Sequence, residues 1–285
     1  MMGAHHAACG AAAWIAISTQ FDIPLTALQQ IAPALPDQLV LGMGLIDVSP
    51  MGVLTGALVT AGAALLPDAD HHNATIAHSL PPLSNALCRG LGKMSGGHRH
   101  GTHSIIGIVF FVLIAWLAGM WTLEVENFGT IFPGAGLLSV LLVAFAAKVL
   151  AIIPDTMQKC PWALGLATGA FIMFFAPQMQ GWFPVAMGVG ATVHILGDML
   201  TTGGCNLIWP FAIKPPKFWR KIPVLSSIWR PNGNMALPLL GNAGSWREWL
   251  MLVPVAVYTV VAVGITLFGM GKTGLYALGS SVGLL

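Results

Sequence analysis

The stretch Pro50–His72, PMGVLTGALVTAGAALLPDADHH, decides how the chain folds. Its first 17 residues, Pro50 to Leu66, carry no charge, and the next six hold two aspartates and two histidines. An uncharged run of that length is close to what a helix needs to cross a bilayer, and its abrupt polar end puts Asp68, Asp70, His71 and His72 where hydrocarbon gives way to water. The arrangement recurs along the chain. His5 and His6 stand at the start of one apolar run, His98, His100 and His103 precede another, and His194 and Asp198 close a third. If the runs cross in alternation, these ends, with His78 and Glu248, fall on one side of the membrane. Imidazoles and carboxylates gathered on one face are what a metal site requires.

Composition agrees with a membrane setting. The 285 residues are 56% hydrophobic and 8% charged, with a mean hydropathy of +0.78, whereas soluble domains carry about a quarter charged residues. The expected fold is an all-α, polytopic helix bundle forming a single domain over 1–285, with about seven spans: Ala4–Ser18, Pro50–Leu66, Ser104–Leu123, Gly134–Ile153, Trp162–Ala176, Pro184–Leu200 and Trp249–Met270. The first, second, fifth and sixth fall short of the roughly 20 residues of a full crossing, so they extend into polar flanks or sit inside the bundle. Thr19–Ser49, with Pro24, Pro33 and Pro36, reads as an external re-entrant or interfacial stretch. The amino terminus lacks the positive start of a cleavable signal peptide, and a net charge of +2 without a basic run argues against nucleic-acid partners.

Orientation follows from the cations. Arg89, Lys93 and Arg99 share one loop, Lys159 lies in a second, and Lys214, Lys217, Arg220, Lys221, Arg230 and Arg247 lie in a third. Seven alternating spans put all three on one side, opposite Asp22, Asp37, Asp47, Glu124, Glu126 and the lone cation Lys272. Lysine and arginine mark the cytoplasmic side, so the His/Asp-rich face is expected there, with Glu124 and Gln178 outside. Cys9, Cys88, Cys160 and Cys205 fall near that cytoplasmic side, show no Cys-x-x-Cys spacing, and read as small apolar filler.

Three constellations carry the chemistry. Pro67-Asp68-Ala69-Asp70-His71-His72 packs hard and borderline donors together. It could be an ordinary solvated helix end, but carboxylates at a helix carboxyl terminus oppose the macrodipole and call for a cation. Gly96-Gly97-His98-Arg99-His100-Gly101-Thr102-His103-Ser104 opens the third span, with Thr102 or Ser104 able to cap the helix and His100 the bystander. His194 and Asp198 lie four apart on one helical face, as two ligands, as a ligand with its orienting carboxylate, or as a structural pair. Asp155 lacks clustered partners. Glu248 either favours its helix amino terminus or serves as base or ligand. Trp209, Trp219 and Trp229 mark an interfacial loop anchored in headgroups, whose cations either bind anionic lipid or, the preferred reading, only set topology.

Taken in order, the amino-terminal His, Pro67 to His71, Gly97 to Ser104, His194 to Gly203 with Trp209-Pro210, and Gly244-Ser245-x-x-Glu248 resemble the YdjM-type family of inner-membrane, metal-dependent hydrolases. The resemblance runs to about Glu248. It implies a multi-pass protein of the bacterial inner membrane that uses a divalent metal, zinc foremost, with His6, Asp68, Asp70, His71, His98, His103, His194 and Asp198 as the metal residues. The adjacent pairs His5-His6 and His71-His72 leave the ligating member of each open. Eight residues exceed the four of one tetrahedral zinc and fit two or more ions, with Asp70 or Asp198 bridging.

The expected chemistry is attack by a metal-activated water on a phosphoester or lipid headgroup ester, with Glu248 or an aspartate behind the metal ligands as proton acceptor and Arg99 gripping phosphoryl oxygens. Membrane lipid is thus the expected partner. A metal-free lipid phosphatase that works through a phosphohistidine leaves Asp68, Asp70 and His71 without a role. A histidine-box oxidase should be richer in histidine, and no His-Glu-x-x-His of a zinc protease occurs. The non-enzymatic alternative is a metal-ion transporter or metal-binding membrane protein, whose ligands belong near the bilayer midplane.

Overall fold

The computed structural model describes residues 1–71, 74, 77, 83–126, 129–152, 160–175 and 181–281. His72, His78, Asp155, Lys159 and Gln178 lie outside the described residues.

Each expected apolar run contains a helix, with ends set by local chemistry. The elements are α1 (Gly3–Ser18), β1 (Gln20–Pro24), α2 (Thr26–Gln29), β2 (Gln38–Gly42), α3 (Pro50–Ala63), α4 (Leu83–Met94), α5 (Ile105–Met120), β3 (Leu123–Val125), β4 (Gly129–Ile131), α6 (Pro133–Val149), α7 (Cys160–Phe175), α8 (Trp182–Met199), α9 (Lys217–Arg220), α10 (Pro223–Ile228) and α11 (Trp246–Ser281). Ser49 caps α3 by accepting from the Gly52 amide at 3.1 Å, with Pro50 pre-set for the first turn. Ser104, rather than Thr102, caps α5 in the same way through Gly107 at 3.1 Å. Regular α-helix stops at Ala63, earlier than the apolar run, because Pro67 lacks an amide proton and crowds the preceding turn. The chain tightens there into a 3₁₀ turn, Pro67–Asp70.

The all-α expectation needs one correction. Thr19–Ser49 forms an antiparallel hairpin of β1 on β2, with Asp22 opposite Val40, and β3 pairs with β4 between α5 and α6. Main-chain groups outside the helices need partners, and these two short ladders supply them. The fold is mostly helical with two small hairpins.

Among the described residues, two segments are long and apolar enough to cross a membrane, Pro50–Asp70 and Trp246–Gly271. Ile105–Met120, Pro133–Val149 and Pro161–Phe175 are apolar but shorter. The first segment is mostly buried and the last almost wholly exposed. On α5, Ile106, Val109, Phe110, Leu113 and Leu117 point outward while Gly107, Phe111 and Ala115 face the bundle. The outward face of α5 is thus wholly apolar, and the face turned to the bundle carries Gly107 and Ala115 beside Phe111.

The buried α3 is the hub, packing against α1, α6 and α8; α5 joins α8, α7 joins α6, and α11 lies along α1. Contact is close because small residues meet. A Cβ at Gly62 would lie 2.1 Å from the Leu142 carbonyl oxygen of α6. Gly10 of α1 and Gly190 of α8 both rest on the last turn of α3: added Cβ atoms would lie 2.8 Å and 2.7 Å from the Thr60 carbonyl oxygen. One helical turn from Gly10 is His6, and one turn from Gly190 is His194. Both histidines are thereby carried to the end of α3, above Asp68 and Asp70.

Candidate metal centre

The site is built where the start of α1, the end of α3, the loop before α5 and the end of α8 converge. Ala64 ends α3, and its carbonyl lacks an intrahelical partner. His194 Nδ1 donates to it at 2.7 Å, which leaves the Nε2 lone pair free to bind. His103 is fixed by a different route. Thr102 gives its single hydroxyl proton to Asp70 Oδ2 at 2.6 Å, so it accepts from His103 Nδ1 at 3.1 Å, and Asp70 Oδ2 stands 3.4 Å from that same nitrogen. His103 Nε2 thus also turns inward.

Four donor atoms meet there. His103 Nε2 and His194 Nε2 are 3.1 Å apart. Asp68 Oδ1 lies 3.5 Å from the first and 3.6 Å from the second, and Asp198 Oδ2 lies 3.7 Å and 4.0 Å from them. Ligands at the 2.0–2.1 Å typical of zinc on nitrogen or oxygen are about 3.3–3.4 Å apart in a tetrahedron; the donor atoms of Asp68, His103 and His194 come near that spacing, and Asp198 Oδ2 lies somewhat farther from the two nitrogens. His103 and His194 are wholly buried, Asp198 nearly so, and Asp68 faces a cavity of about 570 Å³ that His71, His98 and Arg99 also line.

Two further sets flank the cage. His6, His194 and Asp198 form one, and Asp70, His98 and His103 the other; within each, the donor atoms lie within 4.8 Å of one another. His6 stacks on His194 with ring centroids 3.7 Å apart, its Nε2 3.2 Å from Asp198 Oδ1 and its buried Nδ1 unpartnered. His98 Nδ1 lies 2.8 Å from Asp70 Oδ1. Sharing His194 and His103, the three sets are continuous. Burial opposes charge on His103, but Asp68 and Asp70 outweigh it and push its pKa up to about 9.

The expected site residues separate into groups by position. Asp68, Asp70, His98, His103, His194, Asp198 and His6 belong to the three sets, whereas His71 does not; it stands edge-on to His98 with centroids 4.9 Å apart. His100 turns to its own loop, Nδ1 to the His98 carbonyl at 2.8 Å. Arg99 takes a left-handed φ of 65° and lays its guanidinium fork on Asp198, Nε to Oδ2 at 3.0 Å and Nη2 to Oδ1 at 3.1 Å. That fork is engaged by a carboxylate of the site, and Nη1 donates to Thr201 Oγ1 at 3.3 Å, so three of the five guanidinium donors are taken up within the protein. The Asp198 carboxylate also pairs with the Met1 ammonium.

Glu248 is buried and accepts from the amides of Met2 at 2.7 Å and Gly244 at 2.8 Å, and from His5 Nδ1. It stands outside all three sets, tying the start of α1 to the start of α11. The ambiguity of the adjacent pair is thereby divided in space: His6 faces the cage and His5 faces Glu248. Sequence reading did not anticipate Thr102 as the partner of Asp70 and His103, nor the Ala64 carbonyl behind His194. A hydroxyl directly before a histidine was the available signal for the first, and nothing in the sequence pointed to the second.

No curated protein and no solved structure matches the chain. A profile of the family described as YdjM inner membrane protein matches residues 1–270, taking in every residue of the cage and its flanking sets. The chain therefore belongs to the YdjM inner membrane protein family.

Proposed function

We propose that the protein is a multi-pass, metal-dependent hydrolase of the bacterial inner membrane, acting on a phosphoester or lipid headgroup ester at the cytoplasmic face. The observation that carries this reading is the four-donor cage of His103, His194, Asp68 and Asp198, two of whose ring nitrogens are oriented by Ala64 and Thr102. Two imidazoles with two carboxylates suit zinc, and the flanking sets offer ligands for a second ion. A cation held there would supply Lewis acidity and lower the pKa of a bound water toward about 7. The chain's own residues do the rest. Asp70 and Thr102 hold His103 in register, Arg99 holds Asp198, and Asp68 stands at the cavity wall where substrate would enter. His98 and His71, beside the same cavity, are placed to exchange a proton with a departing group.

Support for seven crossings and a cytoplasmic site comes from charge. The helix ends that meet at the site share their side with the loops bearing Arg89, Lys93, Lys214, Lys217, Arg220 and Lys221, while Glu124 and Glu126 lie between α5 and α6 at the far end. Metal analysis of the purified protein, with a screen of phospholipid and soluble phosphoester substrates, tests the proposal. His194→Ala should lose metal and lower hydrolysis by orders of magnitude while the bundle stays folded. If the wild type carries metal across vesicle membranes and that flux alone is abolished by the variant, the transporter reading replaces the hydrolase.

A further inference from the structure

The loop between α8 and α11 has a composition that neither the metal centre nor the helix packing accounts for. From Leu200 to Ser245 it carries five basic residues and not one acid. It is nonetheless a structured platform. Trp219 Nε1 donates to the Leu225 carbonyl at 2.7 Å, Trp229 Nε1 to the Ile213 carbonyl at 3.0 Å and Arg220 Nε to the Pro215 carbonyl at 2.9 Å. The Trp219 and Trp229 rings meet edge to face with centroids 5.9 Å apart. These bonds hold α9 and α10 in one shape, and that shape turns the wrong residues outward for water: Phe211, Ile213, Phe218, Ile222 and Val224 are exposed, Phe211 at 69% and Val224 at 68%. Between them Lys214, Lys217, Arg220 and Lys221 are exposed as well.

Large apolar side chains interleaved with cations suit one environment, the boundary between acyl chains and anionic headgroups, where rings and aliphatic groups sink while the charges stay among phosphates. The segments that flank the platform are joined to each other and, through Asn206, to the metal centre. The Asn206 amide donates to the Arg99 carbonyl at 3.1 Å, Asn234 Nδ2 to the Gly203 carbonyl at 3.2 Å, and Arg230 to the Thr202 carbonyl. Arg99 in turn holds Asp198. We infer that residues 211–228 form a docking platform for the anionic phospholipid of the leaflet next to the metal centre, fixing that centre at headgroup depth. This goes beyond the proposed hydrolysis and needs no substrate turnover.

Hydrogen exchange of the full chain in nanodiscs tests it. Amides of 211–228 should exchange at least about fivefold more slowly in discs containing phosphatidylglycerol than in pure phosphatidylcholine, the effect of about one cation at an anionic surface. Amides of β1 and β2 should not respond. The slowing should vanish in high salt and in a variant carrying Lys214→Gln, Lys217→Gln, Arg220→Gln and Lys221→Gln. Equal exchange in the two lipids overturns the inference in the wild type alone, whatever the variant's stability. So does slowing that follows protein concentration instead of lipid charge, which would place a second copy on the platform. Neither metal content nor hydrolysis enters the measurement, so its failure leaves the proposed function standing, and the reverse holds too.

Discussion

At the scale of single residues, the centre separates groups that bear on a cation from groups that hold them. His194 and Asp68 are bare donors facing the cage, whereas Asp70 meets the cage only through His103 and Thr102. Removing a carboxylate that orients a ligand costs about 10–100-fold in metal affinity. Asp70→Asn should fall in that range by competition with a chelator, and Asp68→Asn well beyond it. Equal losses would put Asp70 among the direct ligands. The proton on His103 adds a pH dependence of known sign. Its pKa stands at about 9 in the metal-free site, and a ligand must lose its proton to bind. Metal affinity should therefore climb with pH, by up to tenfold per unit, and level off near 9; titration calorimetry at several pH values reads both slope and plateau. Glu248 belongs to the holding class. Its three donors join α1 to α11, and Glu248→Gln should lower the melting temperature, since a buried donor left without its acceptor costs about 1–3 kcal/mol, while metal content stays near that of the wild type. Unchanged stability with lost hydrolysis would instead make it the proton acceptor.

At the scale of elements, much of the centre was legible because helices make spacing geometric. His194 and Asp198, four apart, had to share a face, and Pro67 had to end α3 just before its aspartates. The motif residues before α5 were visible by their density of histidine. Hidden was what depends on approach between segments far apart in the chain: that His5, not His6, would meet Glu248, and that the orphan carbonyl of Ala64 would find His194. The hairpin of β1 and β2 was equally hidden, since Phe21 and Ile23 make too short an alternation and the prolines of Thr19–Ser49 masked it. The closeness of α1, α3 and α8 is a second such feature, legible only once Gly10 and Gly190 are seen on one turn. A Cβ at Gly190 would lie 2.6 Å from that of Ala63, so Gly190→Leu must push α8 from α3. Overpacking of this kind costs about 1–3 kcal/mol. Metal affinity should fall at least about tenfold with circular dichroism still helical, because moving His194 by a fraction of an ångström opens the cage. Wild-type affinity in that variant would mean that the packing of α8 on α3 does not set the cage.

Over the whole molecule, an apolar outer surface adjoins a polar centre at one end of a bundle. Ile106, Val109 and Phe110 on α5 point outward, and the proposed topology puts the basic loops near the centre in the cytoplasm. A cysteine at Lys93 or Lys217 should resist an impermeant reagent applied outside intact cells, while one at Glu124 should react. The central claim is that His103, His194, Asp68 and Asp198 hold a divalent cation, and X-ray absorption on the zinc-loaded protein tests it most directly. The zinc should show nitrogen and oxygen neighbours at about 2.0–2.1 Å with imidazole scattering behind them, both lost in His194→Ala. Failure to bind zinc at all, or a sulfur shell near 2.3 Å drawn from the cysteines, would contradict it.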